Sequence, residues 1–103
     1  MIDKAAATAI ARDFVARLPV RSNIDLVLQP EATIERDFGW VFFYNSKKYF
    51  ETRDFRDAAL GNAPLIVDRD DGSVHLTGTA EPVETYIERY ERDRRARARR
   101  TGE

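Results

Sequence analysis

His75 and the aspartates at 68, 70 and 71 come closest to a reactive pattern in this 103-residue chain. A nucleophilic site needs a Ser, Cys or Thr beside a base that a third group holds in place. Cysteine is absent and His75 is the only histidine, so the thiolate and imidazole sets that bind zinc cannot be assembled. His75 falls on the polar face of a strand, between Val74 and Leu76, and reads as an ordinary rim histidine. Asp68, Asp70 and Asp71 superficially suggest a calcium loop. An EF-hand needs a loop of about twelve residues, a closing bidentate Glu and flanking helices. Here strands flank a much shorter turn, and a solvated hairpin is expected. Glycines at 39, 61, 72, 78 and 102 make neither a GxGxxG nor a P-loop spacing. No catalytic residue, cofactor or metal is therefore expected, and a small hydrolase relying on carboxylates is the weakest alternative.

Charge is distributed unevenly. Residues 1–88 carry ten Lys and Arg against fifteen Asp and Glu, a net −5, while residues 89–103 carry seven Arg against three acids, a net +4. The body is acidic and the C-terminal end is basic. Basic clusters bind phosphate nonspecifically, but Glu91 and Asp93 interrupt this one, so a solvated helix extension is expected rather than a nucleic-acid site. The first residues enter no apolar run, and the longest such run is about five residues, far below the ~20 that span a bilayer. With no disulfide framework, the expectation is a cytoplasmic protein, monomeric or a small homo-oligomer, without a membrane partner.

The elements follow from periodicity. Asp3 is placed to cap a helix running to about Leu18, with Ala6, Ile10, Phe14 and Leu18 as its stripe, Ala7, Ala11 and Val15 beside it, and Pro19 as its stop. A first strand covers Ile24–Leu28 and continues at Thr33–Arg36 beyond an irregularity at Pro30. Trp40–Tyr44 is the strongest strand. Trp40, Phe42 and Tyr44 point one way and Val41 and Phe43 the other, so both faces are apolar. Residues 45–48 read as a turn, Tyr49–Thr52 as a short strand or a loop, and Asp57–Leu60 as one helical turn closed by Gly61. Ala63–Asp68 and Val74–Thr77 form a hairpin around Gly72, and a second helix begins near Glu81-Pro82 with Val83, Tyr86, Ile87 and Tyr90 as its stripe. The fold class is α+β, an antiparallel four-stranded meander with a helix at each end, in the order α-β-β-β-β-α. Residues 1–90 form one domain and 91–103 an Arg-rich extension or tail.

Seven aromatics fall between Phe38 and Phe50 and cannot all face one side of a strand. Some are expected to form a contact surface, where aromatic anchors dominate binding energy. The partner-binding candidates are Trp40, Phe43, Tyr44, Tyr49 and Asn62, with Asp70 and Asp71 from the acidic body. Trp40 is weighed as core against contact.

The run Asp37-Phe38-Gly39-Trp40-Val41-Phe42-Phe43-Tyr44, followed by Gly61-Asn62-Ala63-Pro64-Leu65-Ile66-Val67-Asp68, resembles the bacterial immunity protein 35 (YrhB-like) family. Asp71-Gly72-Ser73-Val74, Thr77-Gly78-Thr79 and Tyr86-Ile87-Glu88-Arg89-Tyr90 fit the same pattern, from the first helix to about Tyr90. The resemblance implies a non-catalytic immunity protein that binds and occludes a cognate bacterial toxin domain. Papain-like peptidases are among the toxins associated with such families. Trp40, Asn62 and Pro64 match signature positions, and no catalytic residue is carried over. The alternative is a chaperone-like module that captures extended peptides at a sheet edge or an aromatic patch.

Overall fold

The computed structural model describes residues 1–18, 24–58 and 62–100. Asp3 accepts a hydrogen bond from the Ala6 amide at 2.9 Å and starts helix α1 (Lys4–Ala16). Ala7, Ala11 and Val15 are the residues this helix buries, while Ile10, Phe14 and Leu18 pack at its margin. The buried line is therefore one position round from the expected stripe. Small alanine side chains let the helix axis approach the aromatic face of the sheet, and bulkier residues fit only beside it. Pro19, the expected stop, lies outside the described residues.

The first four strands form one irregular hairpin that serves two sheets. Strand β1 (Leu26–Leu28) pairs with β4 (Tyr44–Ser46), and β2 (Ile34–Arg36) pairs with β3 (Gly39–Phe42), both antiparallel. A 3-10 turn at Pro30–Ala32 separates β1 from β2, and Phe43 separates β3 from β4. The Gln29 amide donates to the Phe43 carbonyl at 2.8 Å and ties the two interruptions together. Strands β5 (Leu65–Asp68) and β6 (Val74–Leu76) complete a four-stranded sheet of order β2-β3-β5-β6, the expected meander. The separate β1–β4 pair arises where Pro30, which has no amide to donate, breaks the first strand.

Residues 45–52 depart from expectation. Asn45 and Ser46 end β4, and Ser46 Oγ accepts from the Tyr49 amide at 3.1 Å, capping helix α2 (Lys47–Thr52). The Tyr-Phe pair suggested β structure, but the serine cap decides the local conformation. The next helical turn is a 3-10 turn at Phe55–Asp57, earlier than the expected Asp57–Leu60; Ala59, Leu60 and Gly61 lie outside the described residues. Helix α3 (Val83–Arg100) then runs unbroken into the Arg-rich segment. Residues 101–103 lie outside the described residues. Among the described residues, no helix is long and apolar enough to cross a membrane.

The sheet is covered on both faces, so the architecture is α+β in three layers. Trp40, Phe42, Tyr44, Leu65 and Val67 meet α1, while Phe38, Val41 and Ile66 meet Ile87 of α3. Gly39 makes this arrangement possible. Its φ is +147°, and a Cβ there would stand 2.1 Å from the Val67 carbonyl oxygen and 2.9 Å from the Arg69 nitrogen. Only a residue without a side chain permits both the dihedral and the approach. Gly39→Ala is expected to cost about 3 kcal/mol or more, from backbone strain plus overpacking. Urea unfolding checks this, and a loss below ~1 kcal/mol would show that the β3–β5 approach tolerates a side chain.

Candidate functional site

The residues expected at a contact surface are distributed over several parts of the fold. Trp40 is 2% exposed and faces α1, and Tyr44 is buried on the same side, where burial raises its phenol pKa. Glu35 lies opposite Trp40 in the β2–β3 pair. The Arg69 guanidinium sits 4.8 Å above the Trp40 ring and bonds Glu35 at 2.9 Å, sealing the indole from solvent. Phe43 is half-buried against the α3 face. Asn62 Nδ2 donates to the Tyr44 carbonyl at 2.7 Å, so this signature residue satisfies backbone that the break in the hairpin would leave open. Tyr49 is half-buried on α2, and Asp70 and Asp71 are exposed on the β5–β6 turn. Trp40 and Tyr44 share the buried cluster against α1 and Asn62 bonds Tyr44, while Asp70 and Asp71 adjoin on the turn.

The segment from α2 to the second 3-10 turn forms a platform stiffened by its own polar groups. Thr52 Oγ1 donates to Asp57 at 2.7 Å and accepts from the Asp54 amide at 3.1 Å. Asp54 accepts from the Arg56 amide at 2.9 Å and pairs with the Arg56 guanidinium at 2.7 Å. Arg53 adopts a left-handed conformation, φ +58°, with its guanidinium over the Tyr49 and Phe50 rings. Phe55 projects from this platform, 83% exposed. Sequence reasoning passed over Phe55. The available signal was a phenylalanine between two charged residues, Asp54 and Arg56, with charged Arg53 and Asp57 at strand spacing.

A second cluster joins the β5–β6 hairpin to α3. Asp68 is 5% exposed, and its carboxylate accepts from Tyr90 Oη, from Arg94 Nε at 3.1 Å and from the Asp70 amide at 2.9 Å. Arg94 also reaches Asp70 at 2.6 Å. Burial alone would raise the Asp68 pKa, but the hydrogen bonds from Arg94, Tyr90 and the Asp70 amide outweigh it and hold the carboxyl below its usual range. Burial and the adjacent carboxylate push Tyr90 up to about 12. Each group is locked in one charge state near neutrality, which suits a clamp and not proton transfer. His75 packs against the Tyr90 ring at 5.0 Å and shares a 2.8 Å hydrogen bond with Ser73. A shallow cavity of about 300 Å³ lies beside the clamp, lined by both signs of charge from Asp68, Asp70, Asp71, Arg94 and Arg97. Among the described residues, no group of three or more His, Cys, Asp or Glu could hold a metal ion.

The Tyr90 shift sets a pH dependence. A phenol whose pKa is raised on folding contributes stability that is complete below the unfolded value of about 10 and is lost as pH rises toward about 12. Chemical denaturation followed across this range is expected to show falling stability. Tyr90→Phe should reduce that fall, leaving the part due to Tyr44, and should cost about 2 kcal/mol at neutral pH. An alkaline limb unchanged by the substitution would remove Tyr90 from this role.

Comparison with known proteins gives a family match and a curated relative. The chain matches the family described as Immunity protein 35 over residues 5–93, from α1 to the middle of α3. It is also 43% identical over 53 residues to the uncharacterized protein YrhB of Escherichia coli (strain K12). That stretch is 52% of this chain and 56% of YrhB, so little more than half of either protein is compared. No solved structure matches. With most of its described elements inside the match, the chain belongs to the immunity protein 35 family.

Proposed function

We propose that this protein neutralises a cognate bacterial toxin domain by binding it and covering its active site, without chemistry of its own. The family match over residues 5–93 carries this reading. The charge-locked clamp at Asp68, Tyr90 and Arg94 is consistent with a binding role, since it holds no group poised to exchange a proton near neutral pH. Within this reading, Trp40, Tyr44 and Asn62 maintain the shape of the surface from beneath. Phe43, Tyr49, Asp70 and Asp71 remain as contact candidates, with the acidic turn steering association toward a basic toxin surface. A papain-like peptidase is the toxin class that the family resemblance suggests, met in the cytoplasm of the producing cell.

The test uses the product of the reading frame adjacent to this gene, first expressed alone to establish that it arrests growth. Co-expression should restore growth to cells that make the toxin, and calorimetry should show one tight site on the catalytically inactive toxin. A chaperone-like module would instead bind several unfolded polypeptides with similar affinity and give the toxin no preference. That result, or growth arrest undiminished by co-expression, would overturn the proposal.

A further inference from the structure

We infer that the outward face of α3 is a self-association surface, on which a second copy of this chain docks its own α3 antiparallel. The inference concerns how two copies meet and stands apart from the toxin reading.

Six charged residues define the face. Glu84, Glu88, Glu91, Arg92, Arg95 and Arg99 follow one another at spacings of four, three, one, three and four residues. At 3.6 residues per turn, these positions of α3 fall within an arc of about 100°. The order is a palindrome in spacing and inverted in sign, with acids in the first half and arginines in the second. Ile87, Tyr90 and Arg94 fasten another side of the helix to the sheet core and to the Asp68 carboxylate, which turns this face outward. Glu84, Glu88, Arg92 and Arg95 are exposed, and Glu91 is half-buried.

The charges of the face are unpaired within one chain. Arg89 is held by Glu81, and Arg94 by Asp68 and Asp70. Glu84, Glu88, Glu91, Arg92 and Arg95 form no ion pair among the described residues. Asp37 lines the same shallow cavity as Glu91 and Arg95, at the margin of the stripe, and is likewise without an ion pair. A helix macrodipole favours early acids and late bases only within the first and last turns, and Glu88, Glu91, Arg92 and Arg95 lie between them.

Two such faces complete each other. With a twofold axis between positions 91 and 92, antiparallel helices set Glu84 opposite Arg99, Glu88 opposite Arg95 and Glu91 opposite Arg92 of the second copy. The axis repeats each pair, so one surface serves as its own complement. A parallel arrangement would set acid against acid, and a polyanion such as nucleic acid would meet like charge along half the face. The stripe holds no apolar residue, so the dimer is weak and sensitive to salt.

Sedimentation equilibrium of the full chain tests this. A monomer–dimer equilibrium is expected at low ionic strength, with Kd rising roughly tenfold or more between about 25 mM and about 500 mM salt as charges are screened. Glu88→Arg and Arg95→Glu should each weaken the dimer about tenfold at an unchanged thermal midpoint, since each makes two facing pairs repulsive. Both substitutions in one chain re-create those pairs with reversed polarity at the original net charge, and should return Kd to near the wild-type value. A chain that stays monomeric at about 1 mM in low salt would overturn the inference. So would a dimer indifferent to salt or to either reversal, or single reversals that the combined swap fails to rescue.

Discussion

The close approach of Gly39 to the backbone of β5 is the constraint on which the rest of the structure depends. It sets Gly39 opposite Asp68 and carries that register through Trp40–Val67, Val41–Ile66 and Phe42–Leu65. Strand side chains alternate, so a slip of one residue would send every aromatic to the wrong helix. With the register held, Trp40 and Phe42 meet the alanines of α1 and Val41 meets Ile87 of α3. The two-faced apolar strand is thus a packing requirement: each face needs its own helix, and the chain supplies one before the sheet and one after it.

Asp68 extends this order to the chain's charged end. It lies at the end of β5 and bonds residues 22 and 26 positions later, so it fastens the Arg-rich half of α3 to the hairpin. Arg94 is the first residue beyond the family match and, with Tyr90, is one of the two α3 side chains that bond that carboxylate. The basic segment is in this respect part of the folded body. Arg89 is tied down as well, through its pair with Glu81 at 2.7 Å.

Much of the fold was legible because its signals are local. The Asp3 cap, the alternation at Trp40–Tyr44, the break at Pro30 and the hairpin at Gly72 each lie within a few residues of what they determine. The same alternation left Trp40 open between core and contact, because its burial under α1 and its cover by Arg69 come from parts distant in sequence. The misses have physical causes as well. Tyr49 and Phe50 have high strand propensity, and the Ser46 cap that overrides it is a single side chain. Asp68 read as a turn residue because its partners are distant in sequence, although Tyr90 and Arg94 share one helix face at a spacing of four. Phe55 was overlooked because exposure is a tertiary property. A lone aromatic in an irregular segment gives no periodicity to interpret.

The molecule is thus a three-layer scaffold in which Asp68, Tyr90 and Arg94 are held in fixed charge states. In the proposed function such an object acts by occupying its partner. The most direct test is a titration of active toxin with increasing amounts of this protein, followed by residual toxin activity. Binding and occlusion predict a linear loss of activity that ends at one equivalent and does not deepen with time. Progressive inactivation by a small fraction of an equivalent would mean that the protein acts catalytically and would contradict the account.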